Sequence, residues 1–271
     1  MAHPIDSPDA SPVSKKRRPS SDQPLTPPLS ASDPEGSRLL SRAVHVLSTA
    51  AAALAHVTLL YQSDPVASDG LLRAVERIKK VNEAGGKLII CGVGKSGRVA
   101  EKMVASMKSL GIASSFLHAA EALHGDLGDV RRNDAVMFVS YSGKTSELLA
   151  VLQHIPAAVP ILAVTSQKKA ADCPLLSGRS DAILLPAPIH EKEEVSFGVC
   201  APTTSTTVAI AIGDMLALTV AEAMHQDEVK EVFRVNHPGG AIGANSKRKE
   251  PDSAEQDCAK RQKSLPSPTS A

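Results

Sequence analysis

The sequence predicts an α/β fold, a parallel sheet covered by helices on both faces. Three observations carry that expectation. Between residues 87 and 225, short apolar runs alternate with helix-like segments, the pattern of buried parallel strands joined by helical crossovers. Two of the runs, Leu88-Ile89-Ile90-Cys91 and Ala135-Val136-Met137-Phe138-Val139, lead into loops of glycine and hydroxyl residues that open helices. The loops are Gly92-Val93-Gly94-Lys95-Ser96-Gly97 and Ser140-Tyr141-Ser142-Gly143-Lys144-Thr145. At 271 residues and 42% apolar, the chain is long enough for one large or two small domains.

Residues 1–37 are rich in Pro, Ser and Asp and cannot bury enough apolar surface to offset ordering entropy, so a disordered tail is expected. Leu40, Val44, Leu47, Ala51, Leu54 and Leu59 recur near helical spacing and predict a helix over 39–61. Asp69 is placed to cap a second helix through Leu71, Leu72, Val75, Ile78 and Val81, stopped by Gly85-Gly86. Strands follow at 87–92, 113–117, 135–140, 160–165 and 181–185, with helices at 96–110, 145–155 and 203–225. The globular region is expected to span 38–245. A second disordered tail, 246–271, carries two basic clusters.

Composition excludes several function classes. The formal charge is only +1 and Trp is absent, with two Tyr and four Phe, so neither charge excess nor stacking platforms argue for nucleic acid. Cys91, Cys173, Cys200 and Cys258 show no metal-binding or disulfide spacing, which fits a reduced, intracellular protein. No continuous apolar run reaches spanning length, so no membrane partner is expected.

The two loops are phosphate sites in the making. Backbone N–H groups, hydroxyls and a helix N-terminus converge at the carboxyl end of a strand, where parallel α/β sheets bind ligands. The first matches G-x-G-x-x-G, yet a dinucleotide site wants an acid at the end of the next strand, and Ser114-Ser115-Phe116-Leu117 ends in His118. Lys95 inside the glycine turn suits one compact anion better, with Gly94 and Ser96 beside it. In the second loop Ser140, Ser142 and Thr145 can converge on a phosphate while Gly143 permits close backbone approach. A helix cap needs one hydroxyl, not three beside a glycine. Thr203, Thr204 and Ser205 open the last helix behind Pro202 and face a ligand or simply cap the helix. The ionisable residues near these segments include His118, Glu147, Glu191, Glu193 and Glu194, with His124 and His237 in glycine-flanked settings. No H-x-x-x-H or H-E-x-x-H spacing supports a metal.

Five segments in order resemble the sugar isomerase (SIS) domain of D-arabinose 5-phosphate isomerases. They are Gly92–Gly97, His124-Gly125-Asp126-Leu127-Gly128, Ser140–Glu147, Ala201–Thr207 and His237-Pro238-Gly239-Gly240-Ala241-Ile242-Gly243. The resemblance implies a flavodoxin-like three-layer sandwich with a five-stranded parallel sheet, and a homo-oligomer (dimer or tetramer) with sites at subunit interfaces. It implies a sugar-phosphate substrate, interconversion of D-arabinose 5-phosphate and D-ribulose 5-phosphate, and catalytic roles for Lys95, His124, Glu147 and His237. No redox cofactor or metal is required by such chemistry. Departures are the basic tail in place of paired CBS modules, Lys144 where an acid is common, and the loop Glu191–Phe197. A non-catalytic sugar-phosphate sensor would need the hydroxyls but not the four ionisable residues.

A cytoplasmic protein is the expectation from these features. The clusters at residues 15–18, 247–249 and 260–263 resemble nuclear-import signals, a second address to be tested against solubilising tails.

Overall fold

The computed structural model describes residues 30–239. The terminal tails beyond them, with the basic clusters, Cys258 and residues 240–243, lie outside the described residues. Two compact units divide at Val44. In the first, a turn at Ser30–Asp33 is closed by Asp33 Oδ2, which accepts the Ser30 N–H at 3.0 Å, and a helix starts at Pro34.

That helix, α1 (Pro34–Ser63), continues into the second unit, opening five residues before its apolar pattern does. It is followed by α2 (Pro65–Glu83), β1 (Leu88–Gly92), α3 (Gly94–Ser109), β2 (Ser114–His118), α4 (Ala119–Ala122), β3 (Ala135–Val139) and α5 (Ser146–Leu152). Then come β4 (Ile161–Thr165), β5 (Ile183–Pro186), α6 (Glu193–Phe197), α7 (Thr204–His225) and α8 (Val229–Val235). All five strands run parallel in the order β2-β1-β3-β4-β5, so the three-layer, flavodoxin-like expectation holds.

Alternation along the strands divides the core. Leu88 and Ile90 of β1, Met137 of β3, Val164 of β4 and Leu185 of β5 join one cluster with α2, α3 and α7. Ile89, Cys91, Phe138, Ala163 and Leu184 point the other way, against Leu148 and Val151 of α5. The period of two along a strand places successive side chains on opposite faces, and burial of both faces explains why the strands read as unbroken apolar runs. The two faces are covered unequally. Between β4 and β5 the crossover is made of short 3₁₀ turns at Ala170–Asp172 and Pro174–Leu176 rather than a full helix. Likewise α5 stops at Leu152, three residues short of its predicted end, before Pro156.

Asp64, not Asp69, caps α2: its carboxylate accepts the Val66 N–H at 2.8 Å and the Ala67 N–H at 3.4 Å, with Pro65 in the first helical position. Asp69 lies inside the helix, because a cap must precede the first turn whose N–H groups it satisfies. A second correction concerns membrane-spanning length. By length and apolar composition α1 and the stretch Thr204–Val235 both reach it. In α7, however, Val208, Ile212, Leu216 and Val220 recur every fourth residue and are buried against the sheet, as in a core helix. On α1, Leu47 and Leu59 stand exposed at 71% and 61%.

The start of the sheet is fastened by one carboxylate. Asp134, 2% exposed, accepts the Lys87 N–H and the Arg131 N–H at 2.9 Å each and pairs with Lys87 Nζ at 3.0 Å. It thereby ties the beginnings of β1 and β3. Asp134→Ala strands two backbone donors, leaving the Lys87 ammonium to Asp129 alone, and should lower unfolding free energy by about 2 kcal/mol in urea denaturation.

Candidate active site

A cavity of about 500 Å³ opens at the carboxyl ends of β1, β3, β4 and β5. Its apolar floor is the edge of the larger core, formed by Val99, Val139, Val164 and Ala187. Lys95 and Ser96 from the first turn of α3 line one side, Tyr141 and Ser166 a second, and Ser205 and Thr206 of α7 a third. The segment before α7 supplies Lys192, Glu193, Glu194 and Cys200. A few polar groups above an apolar floor is the usual make-up of a small-molecule site.

The glycine pattern of the first loop is largely a packing device. A Cβ on Gly92 would lie 2.9 Å from the Ser96 carbonyl oxygen and 3.0 Å from Gly97, so only glycine lets α3 start so close to β1. Gly94 has φ +58°, which turns the chain into the helix and delivers Lys95 to the cavity. In the second loop Gly143 has φ +67°, and a Cβ there would meet Cys173 Sγ at 2.9 Å. Neighbouring β4 holds this loop rigidly. The Tyr141 carbonyl accepts the Ser166 N–H at 2.9 Å, Ser166 Oγ at 2.6 Å and Thr165 Oγ1 at 3.0 Å.

The second loop's hydroxyls bond mostly to the loop itself. Ser140 Oγ and Thr145 Oγ1 are 2.8 Å apart, and Ser140 Oγ accepts the Gly143 N–H at 3.1 Å. Ser142 Oγ accepts the Lys144 N–H at 3.1 Å. None of the three lines the cavity of the described chain. At α7, Thr203 makes no side-chain cap and the Thr204 hydroxyl is buried without a partner. The cap comes from Glu193, whose Oε1 accepts the Thr203 N–H at 2.6 Å, the Ser205 N–H at 3.0 Å and Ser205 Oγ at 2.9 Å.

Of the four candidate catalytic residues, only Lys95 lines the cavity. Glu147 and His124 follow the second loop and α4, on elements of the sheet's opposite face. The exposed Glu147 carboxylate accepts its own N–H and the Ser146 hydroxyl, which hold it below the usual carboxylate range. His237 lies at the other end of α3. Its Nδ1 donates to the Phe233 carbonyl at 2.7 Å, its Nε2 lies 3.2 Å from Ser109 Oγ, and the ring stacks on Phe233 at 4.0 Å. Lys95 and Ser109 are separated by nearly the whole of α3, about 20 Å at the helical rise.

Tyr141, Ser166, Lys192, Glu193, Glu194 and Cys200 are cavity residues that spacing did not single out as site residues. The run of charge at 192–194 was the available signal, but a charge run usually reads as solvated surface. Burial raises the Tyr141 phenol, and the Glu193 charge adds to the shift. The Cys200 thiol is raised by its hydrogen bond to Glu194 and by that residue's charge. Among the described residues no three His, Cys, Asp or Glu side chains cluster as metal ligands.

Comparison with known proteins agrees with this architecture. The SIS domain family matches residues 81–219, and the chain belongs to that family. An uncharacterized protein of Helicobacter pylori is 39% identical over 202 residues, covering 74% of this chain and 57% of its own. The arabinose 5-phosphate isomerase KdsD of Francisella tularensis is 36% identical over 174 residues, covering 63% of this chain and 50% of its own. The chain thus spans about half the length of the curated relatives it matches. Among solved structures, an E. coli CFT073 protein in complex with arabinose 5-phosphate is 27% identical, with TM-score 0.61, covering 74% of this chain and 98% of that one.

Thiolate is the reactive form of cysteine, so a raised thiol delays reaction to higher pH. Alkylation of Cys200 by iodoacetamide should rise at higher pH than for a free cysteine peptide. Glu194→Gln removes the charge opposing the thiolate and should move that rise to lower pH.

Proposed function

We propose that the protein is a phosphosugar aldose–ketose isomerase converting D-arabinose 5-phosphate to D-ribulose 5-phosphate through an enediol. The observation that carries this reading is the placement of Lys95 on the first turn of α3, in a cavity of about 500 Å³ shared with the hydroxyls of Ser166, Ser205 and Thr206. The SIS-family membership and the relatives named arabinose 5-phosphate isomerase support it.

The reaction opens the sugar, removes the proton beside the aldehyde and returns it to the former aldehyde carbon. Lys95 stabilises the negative enediolate oxygen through its ammonium. Glu147 carries the carbon-bound proton, and His124 or His237 moves the proton between oxygens. Gly94, Ser96, Ser140, Ser142, Gly143 and Thr145 hold the phosphate end, so that remote binding sets the reacting carbons in place. Because His237 sits about 20 Å from Lys95 along α3 of its own chain, it serves the cavity of a second copy. The working unit is therefore a homo-oligomer, with a cytoplasmic address; the bacterial relatives lend no support to nuclear import.

A sugar-phosphate sensor is the second reading, favoured by the absence of Glu147, His124 and His237 from the described chain's cavity wall. Turnover decides between them. Purified protein should convert D-arabinose 5-phosphate in preference to ribose, glucose and fructose phosphates, and Lys95→Ala should lower kcat about 100- to 1000-fold. Tight binding with no turnover would establish the sensor. Mixing Lys95→Ala with His237→Ala subunits should restore part of the lost activity, since some cavities then combine Lys95 of one variant with His237 of the other; no recovery would place His237 outside the reaction.

A further inference from the structure

Residues 191–200 form a strap along the cavity wall, and its fastening is specific. Within it α6 has only five residues, too few to hold a helix by themselves, and Gly198 ends it at φ +76°. Lys192, Glu194 and Cys200 of the strap line the cavity. The strap's position rests on contacts to longer elements. One is at α1, where His45 Nε2 lies 3.1 Å from the Ser196 carbonyl oxygen and the His45 ring meets Phe197 edge-on at 5.8 Å. The other is Glu193 at the first turn of α7.

We infer that Glu193 is a positioning residue: its carboxylate fastens the strap to α7, holds Lys192 and Glu194 in the cavity wall, and keeps that helix N-terminus from serving as the ligand's phosphate seat. One carboxylate oxygen accepts from two backbone N–H groups at 2.6 and 3.0 Å and from the Ser205 and Thr203 hydroxyls at 2.9 and 3.4 Å. These donors are otherwise unserved, because Thr203 contributes no side-chain cap. A negative group at the start of a 22-residue helix is further favoured by the helix dipole. An incoming phosphate would have to expel a carboxylate that already makes the bonds it would make. The hydroxyls of Thr203 and Ser205 therefore belong to strap and helix, and the phosphate goes to the loops after β1 and β3.

The kinetic consequence rests on the isomerase reading; the structural one does not. Backbone hydrogen exchange of residues 194–202, followed in full-length protein, reads the fastening directly. Glu193→Ala should speed exchange there about tenfold, while amides of α7 between Ile212 and Val220 stay protected and report an intact fold. Glu193→Gln presents an oxygen in the same place and should recover most of the protection. Glu193→Asp, one methylene shorter, should behave like the alanine variant. In turnover, Glu193→Ala should lower kcat about tenfold with a smaller change in KM, the mark of misplaced groups rather than lost phosphate contacts. Unchanged strap exchange in Glu193→Ala overturns the inference. So does wild-type protein whose strap is loosened by inorganic phosphate as far as by that substitution, since phosphate would then take the seat. If the wild type turns over no sugar phosphate, the isomerase reading falls while the exchange data still decide the fastening.

Discussion

The structure depends on one constraint of its sheet. β1 and β3 are adjacent and parallel, yet the chain leaves β1 for one face through α3 and leaves β3 for the other through α5. Two helices diverging from neighbouring strands cannot close the space between their starts, so a crevice opens at the carboxyl ends. Both glycine- and hydroxyl-rich loops flank that crevice, and both face buried strands whose geometry cannot relax. The rigidity of the site is thus inherited from the burial of both sheet faces.

The same divergence explains how the candidate residues are distributed. Lys95 follows β1 onto the α3 and α7 side, where the cavity lies. Glu147 and His124 follow β3 and β2 onto the side covered by α4 and α5. His237 rides on the far end of α3, pinned by Ser109 and stacked on Phe233. The fold of one chain thus sets these ionisable groups on opposite faces of the sheet and at opposite ends of α3.

Charge in the cavity wall is also shared out by structure rather than by local sequence. Of two consecutive glutamates, Glu193 caps α7 and Glu194 bonds the Cys200 thiol, because a single helical step turns successive side chains about 100° apart. Burial pushes the Cys91 thiol up to about 12, in keeping with a packing residue in the core on the sheet face away from the cavity.

The strand sequence, its parallel arrangement and the two glycine- and hydroxyl-rich loops were legible in the residues, because buried parallel strands and glycine turns impose local composition. The SIS resemblance was legible for the same reason: its motifs are the turns that the crevice needs. Less could be read of helix limits. Asp64 rather than Asp69 caps α2, and α5 ends at Leu152 rather than at 155, since caps and helix ends are chosen by where the chain must meet the sheet. The role of Glu193 was hidden entirely, as it joins residues ten and twelve positions apart through a folded strap. Sequence by itself determined which residues are buried and which turns bend. Only tertiary structure decided which polar groups face one another, because those distances are set by packing between elements and not by spacing along the chain.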